Sequence, residues 1–477
     1  MPPKRTPELD IRALLENGFN EETARSLYAQ GEEVAIFVMM QLATSAKKTN
    51  DINGVHPSAP SASVPVFQKE SGKKRKKQPG AKPGHPGSRR PPPVITHRQD
   101  HRATKCPGCG GKLHRRNQPR PRLVEDIPKD ITPEVTEHTI HRDYCPHCRK
   151  IVEPVVPDAL ANATIGHRTV VLTAFLHYFV GVTISQIVEI FNTQFQFKLT
   201  PGGLVHLWHN PASLLVFWYE QIGNAARNST VLHADETGWR GNGKTHWLWC
   251  FTNTGVTYYV IDRSRASPVV KRFFKQVFKG VLVTDFWGAY NAIVCAARQK
   301  CLAHLLGDLK KGGKYKDTSG DWTTFSKRLK RIVRDAMRLR GRRDSIPASE
   351  YECFRNRIEK RLTRHWKTEW KNTEARRLVK RLKRHRKELL TFLYYDGVPC
   401  DNNHAERTIR NGVVMRKNSY CNRSVDGATT QAVLMSVFAT LKQCGFHGTT
   451  IIVEALRECL LTKKLPNLPI KCLQTAE

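Results

Sequence analysis

The stretch STVLHADETGW, residues 229–239, begins the part of the chain that decides the fold. The stretches THWLWCFTN (245–253) and GVTYYVIDR (255–263) follow it closely. All three are rich in Val, Trp, Tyr and Thr, and turns with Gly and Asn separate them. This composition is typical of β-strands joined by short turns, so it predicts a three-stranded meander.

Helix and strand patterns alternate after the meander. SPVVKRFFKQVF (267–278) is predicted as a helix and GVLVTDFW (280–287) as a buried strand. GAYNAIVCAA (288–297) is predicted as a second helix and KCLAH (300–304) as a short strand. A meander followed by alternating helix and strand predicts a mixed α/β sheet.

The chain is strongly basic: its 477 residues include 78 Lys and Arg against 42 Asp and Glu, a net charge of +36. Such a charge indicates a polyanionic partner, with nucleic acid as the leading candidate and a merely soluble basic protein as the alternative. The most apolar stretch, 169–191, is interrupted by His177 and other polar residues, so we expect no membrane span. The N-terminus has no apolar signal core, and we therefore expect a cytoplasmic, nucleoid-associated protein.

Two CxxC pairs carry the clearest metal-binding pattern, and their residues are Cys106, Cys109, Cys145 and Cys148. Each pair lies in a turn-type sequence, and the chain between the pairs can return as two strands. Four thiolates would close a tetrahedral site, which predicts one structural Zn²⁺. The alternatives are a redox CxxC, or His141 or His147 in place of one thiolate.

Asp235 and Asp285 each stand where a predicted strand stops, a common position for functional groups in an α/β sheet. Glu236 is adjacent to Asp235, but side chains alternate along a strand, so the two should face opposite ways. A single Asp at such a position is often only a turn former or a helix cap.

The stretch CDNNHAERTIRN, residues 400–411, predicts a helix with a polar stripe. Asn402, Glu406 and Arg410 fall four residues apart and therefore share one face. Asn402 would steady a metal-bound water or a neighbouring carboxylate, and Arg410 would contact phosphate or hold Glu406. The alternative is a capped helix end with a surface pair between Glu406 and Arg410.

Three carboxylates that converge in a basic protein repel one another unless cations lie between them. Two divalent cations about 3.5–4 Å apart would satisfy that requirement and would position a phosphodiester for in-line attack. Mg²⁺, or Mn²⁺, suits a site of few carboxylates and substrate phosphates.

Residues 301–390 carry 28 Lys and Arg against 11 Asp and Glu in a helical pattern. Such a run is often a solvated helix face, but this excess favours a phosphate-facing surface. Upstream, 183–195 and 200–210 predict two helices joined by a short turn, either a helix-turn-helix DNA reader or a plain packing unit. The cations that we expect to contact DNA are Arg381, Lys383, Arg384, Arg386, Arg416 and Lys417.

Five motifs in a fixed order resemble those of the large catalytic subunit of insertion sequence sixty-six family transposases, a bacterial family of the DDE class. The motifs are LHADETGWR (232–240), VTDFWGAY (283–290), CLAHL (301–305), DNNHAERTIR (401–410) and MRKNSY (415–420). The sequence departs from the family pattern at Phe286 and Leu302 and after MRKNSY, where YCNRSVDGA lacks the usual aromatic-rich form. These departures concern substrate contacts more than the carboxylates.

The resemblance implies a ribonuclease H-like mixed-sheet core interrupted by an all-helical insertion. It implies Asp235, Asp285 and Glu406 as the catalytic, magnesium-binding triad, and His304 joins Asn402 and Arg410 as supporting residues. Cys301 and His304 are either core residues or border the active site. The expected segments are an N-terminal helical segment (1–47), a basic linker (48–100), a zinc-ribbon-like module (101–155), a helical region (156–228), the catalytic core (229–305 and 391–445), the insertion (306–390) and a C-terminal segment (446–477).

The implied function is a DNA transposase that binds the ends of a mobile element, cleaves a phosphodiester and joins the 3′-hydroxyl to target DNA. The expected partner is double-stranded DNA, with a homo-oligomer on that DNA and accessory subunits. Two alternatives stay open: a non-catalytic zinc-containing DNA-binding protein derived from a transposase, and a ribonuclease H-like nuclease without strand transfer.

Overall fold

The structure, a computed structural model, describes residues 94–114, 122–128, 131–160, 163–312, 320–419 and 421–474. The chain divides into two compact units, Met1–Glu125 and Asp126–Glu477. The predicted N-terminal helical segment and residues 48–93 of the predicted linker lie outside the described residues. In the first unit a tight turn follows Cys106, whose carbonyl accepts the N–H of Gly110 at 2.8 Å.

A small antiparallel hairpin lies near the start of the second unit. Its strands are β1 (Asp143–Cys145) and β2 (Lys150–Val152). Cys145 ends β1, Cys148 lies in the turn that follows, and the N–H of Cys148 donates to Cys145 Sγ at 3.5 Å. The predicted strands lay between the two cysteine pairs, whereas these strands flank the second pair.

In the part of the chain that the structure describes, four α-helices precede the main sheet: α1 (His167–Phe175), α2 (Ile184–Gln194), α3 (Pro201–Leu214) and α4 (Val216–Arg227). A short π-helical turn, Leu176–Val180, extends α1 and ends at Gly181, whose φ of 90° suits glycine. Thr183 caps α2 through a capping box with Gln186. Within the described residues, no helix is both long and apolar enough to cross a bilayer.

The main sheet has five strands: β3 (Val231–Gly241), β4 (Lys244–Thr252), β5 (Thr257–Asp262), β6 (Phe278–Thr284) and β7 (Cys295–Lys300). Their order across the sheet is β5-β4-β3-β6-β7. The first three strands pair antiparallel, while β6 runs parallel to β3 and β7 parallel to β6. The predicted mixed α/β sheet and its meander are therefore confirmed.

The connection between β6 and β7 differs from its prediction. A 3-10 turn, Gly288–Ala292, replaces most of the predicted helix, and β7 begins at Cys295. Pairing with β6 holds residues 295–300 in an extended conformation. The Ala-rich composition of this segment does not by itself indicate a strand. The helix before β6, α5 (Ser267–Phe274), is also shorter than predicted because Lys275 adopts a positive φ of 59°.

Four long helices follow β7: α6 (Leu302–Gly312), α7 (Gly320–Arg340), α8 (Ala348–Lys367) and α9 (Thr373–Arg384). They form a second hydrophobic core that includes Trp322, Phe325 and Leu378 and reaches Val283 of β6. The helices of this basic region are therefore amphipathic. They bury their apolar faces and leave many Lys and Arg side chains exposed.

Helices cover both faces of the sheet. On one face α5 packs Phe273 against Phe251 of β4, with ring centroids 3.8 Å apart. The helices α10 (Asn403–Ser419) and α11 (Val425–Gln443) lie on the other face. In the sequence they are followed by α12 (Gly448–Thr462) and α13 (Ile470–Gln474). Gly412 lets α10 approach β4, because a Cβ there would lie 2.2 Å from Leu248 Cδ2.

Candidate active site

Asp235 lies within β3, which continues to Gly241 instead of ending at Asp235 as predicted. Pairing with β6 nevertheless stops at His233, opposite Val283, two residues before Asp235. Asp285 stands two residues beyond Val283, so both carboxylates lie where the two neighbouring parallel strands separate. This placement brings together two residues that are 50 positions apart in sequence.

The two aspartates are held by backbone hydrogen bonds. One Asp235 oxygen accepts the N–H of Glu236 at 3.0 Å, and Asp285 accepts the N–H of Trp287 at 2.8 Å. Both side chains are only half-buried. Each carboxylate therefore has a fixed orientation and keeps lone pairs for another ligand.

Glu406 lies in the first turn of α10, on the sheet face that Asp235 shares. Burial raises the pKa of Asp235 well above its usual range, and the negative charges of Glu236, Asp285 and Glu406 raise it further. These carboxylates are thus within electrostatic reach of one another. Asp235, Asp285 and Glu406 do not place one oxygen each within 4.8 Å of the others, the spacing that a single cation needs.

Asn402 joins the start of α10 to the centre of β3. Its fully buried side chain donates to the carbonyl of Ala234 at 2.9 Å and contacts His233 Nδ1 at 3.0 Å. Its backbone carbonyl accepts the N–H of Glu406 at 3.1 Å. Asn402 therefore positions Asp235 and Glu406 through the backbone, whereas the sequence suggested contact with a metal-bound water or a neighbouring carboxylate.

Glu406 pairs with His304, whereas a pair with Arg410 was one of the alternatives that the sequence left open. Nδ1 of His304 lies 3.3 Å from the Glu406 carboxylate, while Arg410 is exposed one turn further along α10. His304 lies in the first turn of α6, and this helix begins directly after the buried residue Cys301. Cys301 is buried as a core residue is, and His304 contacts Glu406. A role of either residue at an active site stays a prediction.

Glu236 faces the opposite side of the sheet from Asp235, as strand alternation predicts. It accepts two hydrogen bonds from Arg265, at 3.0 and 2.9 Å, and a third from Tyr290. Arg265 lies between the rings of Trp247 and Trp287, 4.4 and 3.9 Å from their centroids. Burial, followed by the charge of Asp285, raises the pKa of Glu236 to about 7.

Lys300, at the end of β7, is a fully buried cation behind Asp285. Its ammonium donates to Thr284 Oγ1 at 3.1 Å and to the Asp285 carbonyl at 2.9 Å. Burial lowers its pKa to about 8, while the charges of Glu388 and Asp285 act in the opposite direction. Sequence reasoning missed Glu236 and Lys300 as site residues, although a lysine inside a predicted strand was a visible signal.

Two residues expected to bind DNA have partners within the protein. Arg381 pairs with Asp308 at 2.6 Å and lies over the ring of Phe286. Arg416 donates to Thr237 Oγ1 at 3.2 Å and to the carbonyl of Gly238, which ties α10 to β3. Both guanidinium groups are thereby held within the fold.

The other expected DNA contacts are exposed: Lys383, Arg384, Arg386 and Lys417. Arg386 lies 5.6 Å from the ring centroid of Trp366, and its guanidinium donates to Thr363 Oγ1 at 3.3 Å. Around the end of α9, Lys383, Arg384 and Arg386 form a cationic surface on the helical region.

The cysteine pairs lie in different units, and each pair lies at a tight turn. Backbone N–H groups that follow the first cysteine of each pair lower the pKa of its thiol, at Cys106 and at Cys145. This favours the thiolate, the form that binds zinc. The zinc site itself stays a prediction from the sequence.

Comparison with known protein families identifies the family of this chain. A comparison with curated proteins found no match. The family model described as transposase IS66 family matches residues 163–430. This span begins before α1, includes the whole main sheet and the basic helices, and ends within α11. Since it covers more than half of the 477 residues, the chain belongs to the IS66 family of transposases.

Proposed function

We propose that this transposase cleaves the ends of its mobile element and joins the freed 3′-hydroxyl to target DNA, with Asp235, Asp285 and Glu406 as its catalytic triad. The convergence of these three carboxylates from β3, β6 and α10 carries the proposal. They come from distant parts of the chain, and their charges act together on Asp235. Such crowding of like charges costs free energy unless cations bind there.

The sheet supports a ribonuclease H-like core. Three antiparallel strands are followed by two that run parallel to the first, and β3 and β6 at the centre carry the two aspartates. The helices 302–384 enter between β7 and α10, before the third carboxylate. This connection accounts for the long interval between Asp285 and Glu406.

The donor set fits hard divalent cations such as Mg²⁺ or Mn²⁺. Asp235, Asp285 and Glu406 offer carboxylate oxygens only, the ligand type that Mg²⁺ prefers. Three carboxylates carry more negative charge than one divalent cation balances, which favours two. Lewis-acid stabilisation of charge on the phosphodiester oxygens is the chemistry that such cations supply when bound.

The surrounding residues of the chain orient this donor set. Asn402 and His233 fix β3 beside Asp235, and Lys300 fixes the backbone at Asp285 from behind. His304 holds one oxygen of Glu406. Arg410, exposed one turn beyond Glu406, is positioned to bind a phosphate of the DNA.

The remaining partners follow from the DNA substrate. The exposed cations of the helical region would bind the backbone of element ends and target, which implies a nucleoid-associated location. Four thiolates, Cys106, Cys109, Cys145 and Cys148, would hold one structural Zn²⁺. A homo-oligomer on the DNA, with accessory subunits, completes the proposal.

An end-cleavage assay on Asp235→Asn, Asp285→Asn and Glu406→Gln tests the triad, with DNA binding measured on the same preparations. Each change keeps the shape of the side chain and removes its charge. We expect cleavage and strand transfer to fall by several orders of magnitude, because metal and charge stabilisation dominate such reactions. Binding should persist, because each change removes a negative charge near the DNA phosphates.

Glu454→Gln is the matched control, since Glu454 is an exposed helical carboxylate on α12. It should cleave like the unchanged protein. Normal cleavage by Glu406→Gln would remove Glu406 from the triad. A strand-transfer assay on pre-cleaved ends then separates a transposase from a nuclease, because a nuclease leaves the free 3′-hydroxyl unjoined.

A further inference from the structure

Three different donor side chains meet where α6 and α10 begin: Cys301, His304 and Glu406. One ligand atom from each lies within 4.8 Å of the other two. In the described part of the chain, this is the one set of three His, Cys, Asp or Glu side chains with such spacing. A thiol, an imidazole and a carboxylate form a mixed donor set that differs from the three carboxylates of the proposed triad.

The fold holds these donors rigidly. Cys301 is fully buried, and its Sγ accepts the N–H of Asn402 at 3.2 Å. The N–H of Leu302 donates to the carbonyl of Cys400 at 2.9 Å, so the starts of the two helices are joined by backbone and side chain alike. His304 lies three residues after Cys301, at the start of α6, and its Nδ1 is 3.3 Å from Glu406.

The open side of the cluster faces solvent. The side chains of His304 and Glu406 are 45% and 39% exposed, so an ion can enter past them without unfolding either helix. Three protein ligands leave a fourth tetrahedral position for water, an arrangement common at zinc sites. A thiol binds such a cation as the thiolate, so binding would displace the proton of Cys301.

We propose that Cys301, His304 and Glu406 form a binding site for a thiophilic divalent cation, Zn²⁺ or Cd²⁺, beside the carboxylate cluster. Thiol and imidazole ligands select such ions over Mg²⁺, which prefers oxygen. Glu406 belongs to both donor sets, so a soft cation bound here withdraws Glu406 from the triad. The withdrawal of Glu406 from the triad rests on the proposed function, whereas the existence of the metal site does not.

The test uses the full chain, purified with zinc and then titrated with Cd²⁺ without DNA. Cadmium–thiolate absorption and cadmium NMR report the binding, because a site with one sulfur ligand gives a signal different from a site with four. We expect about one Cd²⁺ per chain in a one-sulfur environment. Cys301→Ser and His304→Ala should both lose that signal.

Matched controls separate this site from the other cysteines and histidines. Cys353 and His206 are exposed and distant in sequence, so Cys353→Ser and His206→Ala should keep the signal. A serine hydroxyl still accepts the N–H of Asn402, and His304 is exposed, so both test variants should fold. If the one-sulfur signal is absent from the unchanged protein, or survives in both variants, the site does not exist.

Adding Mg²⁺ to the Cd²⁺ titration tests the shared role of Glu406. Competition that weakens Cd²⁺ binding several-fold supports withdrawal of Glu406 from the triad. If Cd²⁺ binds through Cys301 and His304 but Mg²⁺ has no effect, the soft-metal site stands and the shared role is wrong. Failure of the site and failure of the proposed triad therefore give different results.

Discussion

Individual buried polar residues organise the active site. Asn402, Glu236 and Lys300 are buried. Asn402 and Lys300 each have two hydrogen bonds to the segments that carry the aspartates, and Glu236 accepts hydrogen bonds from Arg265 and Tyr290. Satisfied polar groups of this kind specify one arrangement of neighbouring elements, because an unpaired partner would be costly. At the residue scale, the geometry of the carboxylates depends on buried side chains other than the carboxylates of the proposed triad.

Replacing Asn402 tests this dependence. Asn402→Ala leaves the Ala234 carbonyl and the His233 ring without their partner, so we expect unfolding to become easier by about 2 kcal/mol or more. Cleavage should fall because Asp235 and Glu406 lose their common anchor. Urea denaturation and the cleavage assay measure the two effects. The neighbouring Asn403 is exposed, and Asn403→Ala should leave both nearly unchanged; equal losses in the two variants would contradict the assigned role.

His365 makes the helical region sensitive to pH. It is buried against Phe325 and Trp370, and burial, followed by the charge of Arg328, lowers its pKa to about 4. The unfolded state, with a pKa near 6.5, binds more protons between these values, so stability is complete above about pH 6.5 and is lost as the pH falls towards 4. We expect a loss of about 2 kcal/mol between pH 7 and pH 5.

The comparison variant is His365→Leu, which cannot titrate. Urea denaturation of both proteins at pH 7 and pH 5 isolates the contribution of His365, because all other groups are shared. The exposed His206 serves as a control, since His206→Leu should keep the pH dependence. An identical pH dependence in the His365→Leu variant would show that this histidine is not responsible.

At the element scale, the candidate active site lies between β3 and α10. β3 presents Asp235 to the face that α10 covers and Glu236 to the face of α5, because successive side chains alternate. α10 carries Glu406 at its start and packs along β3 and β4. The close approach at Gly412 fixes how deeply α10 lies on the sheet.

Gly412→Ala should therefore move the third carboxylate. The added methyl group would overlap with buried Leu248, and such overpacking costs about 1–3 kcal/mol. We expect a lower melting temperature and a loss of cleavage that exceeds the loss of DNA binding. Gly307 lies in α6 with open space around its Cα, so Gly307→Ala is the matched control and should not destabilise. Unchanged cleavage in Gly412→Ala would show that α10 tolerates the shift.

At the scale of the whole molecule, charge is divided between elements. The carboxylates converge at the centre of the sheet, whereas the helices 302–384 hold much of the positive charge. An acidic cluster beside a cationic surface is the distribution expected of an enzyme that binds a polyanion and also metal ions. The proposed function therefore assigns DNA affinity to the helical region and chemistry to the sheet.

Neutralising Lys383, Arg384 and Arg386 together tests this division. We expect weaker binding to specific and random DNA alike, and a salt slope reduced by about one unit for each lost phosphate contact. Arg381 is left intact because its pairing with Asp308 is structural. A control variant that neutralises exposed cations elsewhere carries changes at Lys279, Lys463 and Lys464. If binding to specific DNA alone fell, the cluster would be reading bases.

The sequence by itself determined the elements that have a local signal. Alternating β-branched and aromatic residues between turns gave the strands at 231–262, and apolar residues at helical spacing gave the helices of the basic region. The ordered motifs gave the family, which the match over residues 163–430 confirms. These features were readable because each depends on residues close together in the chain.

Tertiary structure alone decided the contacts between distant residues. Residues 295–300 became a strand because β6 offered an edge, and Arg381 and Arg416 became structural because Asp308 and β3 lie beside them. The buried partners of Glu236 and the meeting of Cys301, His304 and Glu406 arise in the same way. Periodicity records which face of an element is apolar, but it carries no information about which polar group another element will bring to that face.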